Sequence, residues 1–203
     1  MGVAMAVNKA PEQRREEIFE AALSCFNRNG YYQTAIDEIA AQAGISKGGI
    51  YHHFSSKKEL IVELFRNRVN RYFEYLTAEL DSRPDAASRL GMLVEKSGEI
   101  FMEHEPILRF CLDFVAMSSR DPDFRDEVAA MYRHRVATFA ALIQQGIDTG
   151  IFKPVEPEGI ARALYFLSMG FFLSYFTVPL DFDLQHQHRL NLQTIINGLI
   201  KNK

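Results

Sequence analysis

Apolar residues recur along this chain at the three-and-four spacing of helices, and the register breaks at a small set of positions. Ile18, Ala21, Ala22, Cys25 and Phe26 form one stripe. Ile36, Ile39, Ala40 and Ala43 form a second, over only two turns. Thr34 with Asp37 reads as a capping box at the start of that short helix. Gly44 can end it in a left-handed conformation, and Ile45 is the apolar plug of the turn. Ser46 then caps another short helix carrying Ile50, Tyr51 and Phe54. Ser56 with Glu59 reads as the next capping box, opening a longer helix at Leu60, Ile61, Leu64 and Phe65.

Prolines punctuate the remainder. None occurs between Pro11 and Pro84, and those at 84, 106, 122, 154, 157 and 179 fall between periodic segments. This predicts helices near 85–104, 106–118, 123–149, 157–177 and 184–201. Asp121 and Pro122 open the third of these, and Gly150 closes it. No useful stretch alternates with period two, so the expected class is all-α. Two short helices around a glycine-containing turn make a helix-turn-helix, whose second helix enters a DNA groove.

Charge sharpens that reading. The net charge is −3, which excludes a basic coat over the whole surface. From Ile39 to Lys58 there is no acid, while Lys47, Lys57 and Lys58 are present. Positive charge is thus local to the predicted recognition segment, as a groove-sized footprint requires. Lys47 projects at the N-terminal end of the recognition helix and can donate to guanine O6 or N7. Ser46 caps that end, and Gly48 and Gly49 let the backbone approach DNA closely. Exposed N–H groups there suit a phosphate. His52 can donate to a base or a phosphate, whereas His53 is expected to pack within the head. Thr34 is a further phosphate candidate.

The same stretch resembles the DNA-binding domain of the TetR family of bacterial transcription regulators. The resemblance covers roughly residues 14 to 65, beginning at Ile18, Ala21, Ala22, Phe26 and Gly30. It continues through Thr34, Ile36, Ile39, Ala40, Ala43, Gly44, Ile45, Ser46, Lys47, Gly48, Ile50, Tyr51, Phe54, Lys57, Glu59 and Leu60. Ala35 and Gly49 depart from the common pattern, each removing a hydroxyl that could touch a phosphate. The resemblance implies that Tyr51 offers its hydroxyl to a phosphate and that Lys57 clamps the DNA backbone. The expected organisation is a flexible tail at 1–11, a helix-turn-helix domain at 12–56 and a connecting helix at 57–80, followed at 81–203 by a body that the resemblance implies is an effector-binding and dimerisation domain.

Residues 160–180 are long and apolar enough to raise a membrane span, with Arg162 near one end and Pro179 near the other. A helix apolar nearly all round can instead be buried on every side. In a TetR-like body it would pack on its own domain and on a second protomer, so no membrane partner is expected. The outer helix would add Leu184, Leu190, Leu192, Ile195, Ile196, Leu199 and Ile200 to a homodimer built on the last two helices.

The body holds no catalytic grouping, phosphate loop or metal-ligand spacing, and no cofactor or metal is expected. Adjacent His52 and His53 diverge by roughly 100 degrees on a helix, as do His186 and His188 by two such steps. Cys25 and Cys111 are too few for a disulfide framework. Aromatics do abound. The stripe Leu90, Leu93, Val94, Ser97, Gly98 and Phe101 has two small residues in its middle, which either draw helices together or leave space. In a TetR-like body that space would be an effector pocket, lined by Ser97, Gly98, Phe101, Phe110, Phe114, Tyr132, Phe139, Tyr165 and Met169. Glu99, Arg109 and Asp113 are charges near it. The expected function is a ligand-responsive, cytoplasmic repressor, not an enzyme. Its expected partners are an inverted-repeat operator in double-stranded DNA and a largely apolar small-molecule effector. A constitutive DNA-binding regulator, and more remotely a helical enzyme, are the alternatives.

Overall fold

The computed structural model describes residues 11–201, except the side chains of residues 97, 98 and 101. The expected tail therefore lies, apart from Pro11, outside the described residues. Among those described, the helices are α1 (Pro11–Gln33), α2 (Ile36–Gln42), α3 (Lys47–His53), α4 (Lys57–Asp81), α5 (Ala86–Glu103), α6 (Glu105–Ser118), α7 (Pro122–Asp148), α8 (Pro157–Thr177) and α9 (Leu184–Leu199). The chain divides into two compact units at Asn67/Arg68, within α4.

In the first unit the apolar stripes converge. Ile18, Ala22, Cys25 and Phe26 of α1, Ile39 and Ala40 of α2, Ile50 of α3, and Leu60, Ile61, Leu64 and Phe65 of α4 are all buried. Phe54, just past α3, is buried with its ring centroid 5.5 Å from that of Phe19. Arg15 closes this packing from outside. Its guanidinium lies 4.5 Å from the Phe54 ring centroid, donates to the His53 carbonyl at 3.1 Å, and pairs with Glu63. The turn after α2 is a Schellman motif: Gly44 has φ +66°, Gly44 N–H donates to Ala41 O, and Ile45 N–H donates to Ala40 O. Only glycine takes that φ without a Cβ penalty.

The start of α2 differs from the sequence reading. Its N-cap is Ala35, whose N–H donates to the Glu38 carboxylate at 2.9 Å. Thr34 lies one residue too early to cap, and its side chain turns inward. At α4 the box is as expected on one side, with Glu59 N–H donating to Ser56 Oγ at 3.0 Å. The Glu59 carboxylate, however, accepts from the N–H and hydroxyl of Ser55.

In the second unit, acidic caps and prolines start the helices. Asp121, Glu156 and Asp183 cap α7, α8 and α9, with Pro122 and Pro157 in the first turns. α8 packs on α7 and α9, while α5 packs on α9 and α6 on α7. Leu90, Ile143, Phe152, Ala161, Leu164, Leu192 and Leu199 form the centre of this core. Gly146 is essential to it. A Cβ there would lie 2.1 Å from Phe152 Cδ2, and Phe152 is fully buried with its N–H donating to Gly146 O at 2.9 Å. Phe152 also bridges antiparallel to Ile200, tying the end of α9 to the α7–α8 connection.

α8 is long and apolar enough to cross a membrane by length and composition, with a mean hydropathy of 1.3, yet little of it is buried within the chain. One face supplies Ala161, Leu164 and Phe171 to the core; the other leaves Phe166 60% and Leu173 51% exposed. On α9, Leu190 is exposed, whereas Leu192, Ile196 and Leu199 pack within the chain. Those three were expected to serve a partner and instead complete the core, because α9 turns its stripe toward α5.

Candidate nucleic-acid interface and effector cavity

The recognition helix α3 starts on a real cap: Ser46 Oγ accepts from Gly49 N–H at 3.2 Å. The cap uses the hydroxyl oxygen, which leaves its proton for an external acceptor. Ile50 faces inward, while Tyr51 is 46% exposed and His52 is exposed. His53 is half-buried, and that burial lowers its pKa. Added Cβ atoms at Gly48 and Gly49 would meet nothing closer than 3.8 and 3.4 Å. Packing does not demand either glycine, so the low helix surface they create is free for another role. Lys47 Nζ lies 2.9 Å from Asp37, and this hydrogen bond raises its pKa. Both side chains are exposed, and solvent screens such pairs so that they contribute little. Lys47 can therefore leave Asp37 for a base edge at small cost.

Two residues read as phosphate contacts sit differently. Thr34 is 1% exposed, and its hydroxyl reaches Gly30 O at 2.8 Å and Cys25 O at 3.2 Å. It secures the end of α1, where Gly30 breaks the helix with φ +73°. Lys57 Nζ donates to Tyr31 O at 2.8 Å and Thr34 O at 3.0 Å, and lies 4.5 Å from the Tyr31 ring centroid. Burial lowers its pKa. Its charge thus satisfies carbonyls left open where α1 ends and α2 has not begun. Neither role was legible in the sequence, because both depend on where the chain after Gly30 runs.

In the body a cavity of about 90 Å³ opens among α4, α5, α7, α8 and α9. Tyr72, Phe73 and Leu76 line it from α4, Leu93 and Ile100 from α5, and Arg135 and Phe139 from α7. Leu164, Tyr165, Ser168, Phe171 and Phe172 come from α8, and His188 and Leu192 from α9. His188 stacks on Phe171 with centroids 4.3 Å apart, and burial lowers its pKa to about 4, so it is neutral near pH 7.

Of the residues expected to line a pocket, Phe139 and Tyr165 do so. Tyr132 stands behind them, its ring 5.0 Å from that of Tyr165, and Met169 does not reach the lining. Phe110 and Phe114 are a correction: they are buried with Phe124 in a separate aromatic cluster, where Phe114 and Phe124 lie 4.9 Å apart. The α6–α7 pairing absorbs them. The side chains of Ser97, Gly98 and Phe101 lie outside the described residues. Glu99, Arg109 and Asp113 are not on the cavity wall; Arg109 pairs with Glu105 and covers Phe176. The sequence reading missed the α4 aromatics, Arg135 and His188. Arg135 carried a signal, as a lone charge in the stripe Met131, Arg135, Phe139. Burial pushes the Cys111 thiol up to about 12 and raises the pKa of Cys25, which disfavours the thiolate form of both.

Residues 18–64 match the family model for bacterial regulatory proteins of the tetR family, and residues 86–195 match that for the BetI-type transcriptional repressor C-terminal domain. The chain belongs to the TetR family. Among its relatives is the HTH-type transcriptional repressor KstR2 of Mycobacterium tuberculosis (strain ATCC 25618 / H37Rv), 30% identical over 70% of either chain. A transcriptional regulator from Saccharomonospora viridis, solved in complex with choline, is 27% identical with a TM-score of 0.81. That likeness covers 94% of this chain and 100% of the other. FadR from Bacillus subtilis, solved with stearoyl-CoA, shares the fold at 17% identity and a TM-score of 0.76, over 90% of this chain and 98% of its own. As a TetR regulator, the protein acts by binding DNA rather than by catalysis.

Proposed function

We propose that the protein is a cytoplasmic, dimeric repressor that holds an inverted-repeat operator and releases it when a small molecule enters the body cavity. Ser46, Lys47, the backbone at Gly48 and Gly49, Tyr51 and His52 form the DNA-facing surface. Thr34 and Lys57 hold that surface in shape from behind. Two copies present their recognition helices to major-groove faces about 34–36 Å apart. The exposed face of α8, with Phe166 and Leu173, supports pairing through α8 and α9.

The observation that carries the effector reading is the composition of the cavity wall. Tyr72, Phe73 and Leu76 belong to α4, the helix whose first turns supply Leu60, Leu64 and Phe65 to the DNA-binding core. A cavity of about 90 Å³ is below the range of roughly 300–1,000 Å³ that drug-sized ligands occupy. A larger effector must therefore turn aside aromatic rings on α4, α7 or α8, and moving α4 changes the affinity for DNA by linkage. Relatives of this fold have been solved with choline and with stearoyl-CoA, so the fold alone does not select the ligand.

The test is selection of operators from a random duplex library, followed by fluorescence anisotropy with the winning duplex. An inverted repeat bound by two protomers, with an affinity that falls steeply with salt, is the expected result. Recovery of no preferred sequence, or binding by one protomer to a single half-site, would overturn the proposal.

A further inference from the structure

The cavity has an unusual charge balance for an apolar pocket. Among the described residues its polar lining is Tyr72, Arg135, Tyr165, Ser168 and His188, with no Asp or Glu. Ser168 donates its hydroxyl to Leu164 O at 3.0 Å, and His188 is uncharged near pH 7. Arg135 is thus the one formal charge on the wall among the described residues. Its Nε is buried and makes no hydrogen bond. The guanidinium instead lies over aromatic faces, with Cζ 4.9 Å from the Phe73 ring centroid and 5.6 Å from that of Tyr72. No ion pair to Arg135 occurs among the described residues. Arg135 is partly buried, and a cation that loses hydration there without an anion is penalised, with cation–π contact offsetting only part of that cost.

We infer that the cavity takes an organic monoanion, a carboxylate on an apolar body, whose head group pairs with Arg135 among the rings of Tyr72 and Phe73. This rests on the reading of the cavity as the effector pocket and adds the ligand's charge to it. A planar guanidinium fork matches a carboxylate with two parallel hydrogen bonds. A single unpaired positive charge is neutralised by one negative charge, whereas a phosphate monoester would bring nearly two near neutral pH. A cationic ligand would set like charges together where no acid is available to separate them. The remaining wall, Leu76, Leu93, Phe139, Leu164, Phe171 and Phe172, offers contact to an apolar body.

The test uses three six-carbon probes that differ in charge, hexanoate, 1-hexanol and hexylamine, with the full-length protein at pH 7.5. Affinities are measured by calorimetry or ligand-observed NMR. Hexanoate should bind at least about tenfold more tightly than 1-hexanol, the gain typical of a charge-assisted hydrogen bond, and hexylamine most weakly. In Arg135→Met, hexanoate should lose about tenfold while 1-hexanol is nearly unchanged. That ratio separates ligand pairing from a packing role, which would weaken both probes alike. Ranking the probes on the parent protein needs no variant and stands if Arg135→Met misfolds. Equal binding of hexanoate and 1-hexanol, or tighter binding of hexylamine, would overturn the anion assignment and leave the pocket standing. Binding of none of the three would overturn the pocket reading and the anion assignment with it.

Discussion

Replacing Lys57 by methionine keeps the aliphatic stem of the side chain and removes its charge. In the structure that charge makes two hydrogen bonds of normal length, to Tyr31 O and Thr34 O, and a longer one of 3.5 Å to Tyr32 O. It also lies over the Tyr31 ring. Hydrogen bonds to charged groups contribute about 1.5–3 kcal/mol, but Lys57 is only half-buried and water can partly replace it. The expected loss is therefore roughly 1–2 kcal/mol of stability in the DNA-binding unit. The assay pairs urea unfolding with the salt dependence of operator binding. A phosphate clamp would lower the slope of log affinity against log salt by about one unit when removed. A residue that braces the end of α1 would lower stability and leave the slope nearly unchanged. A slope reduced by one unit at unaltered stability would refute the bracing role and return Lys57 to the DNA backbone.

Other expectations follow from the body. Gly146→Ala forces a Cβ to 2.1 Å from Phe152 and should cost about 1–3 kcal/mol in overpacking, more than the roughly 1 kcal/mol gained in helix propensity. Gly91→Ala, whose Cβ meets nothing within 4 Å, is the matched control and should raise the melting temperature; both rising together would refute the close approach. His188 has its pKa lowered from 6.5 to about 4 by burial, so between those values the unfolded chain takes a proton that the folded one excludes. Stability should fall as pH drops through that window, by at most about 1.4 kcal/mol per unit from this group, and His188→Phe should flatten the fall; parallel curves would show that His188 titrates normally. Phe166→Glu with Leu173→Glu should give a folded monomer in sedimentation velocity, and a dimer that persists would move the interface elsewhere.

The helices were legible because their punctuation is local. Proline positions and capping residues placed α5 to α9 within a residue or two, and Gly44 marked the turn of the DNA-binding motif. The roles of Thr34 and Lys57 were not legible, since each is fixed by carbonyls brought near only by the break at Gly30. The cavity shows the same limit. Phe139 and Tyr165 line it, but Phe110 and Phe114 are equally aromatic and equally periodic, and their burial against Phe124 follows from how α6 meets α7. Composition counts rings; packing decides which of them surround empty space.

The most direct measurement is reciprocal linkage between cavity and operator. Operator affinity is determined with and without saturating hexanoate, and hexanoate affinity with and without operator. If the cavity controls DNA binding, both affinities fall by the same factor, typically about 5–150-fold. Phe139→Ala, on the cavity wall and remote in sequence from the recognition helix, should change that factor. Operator affinity that stays constant while hexanoate saturates the cavity would contradict the account.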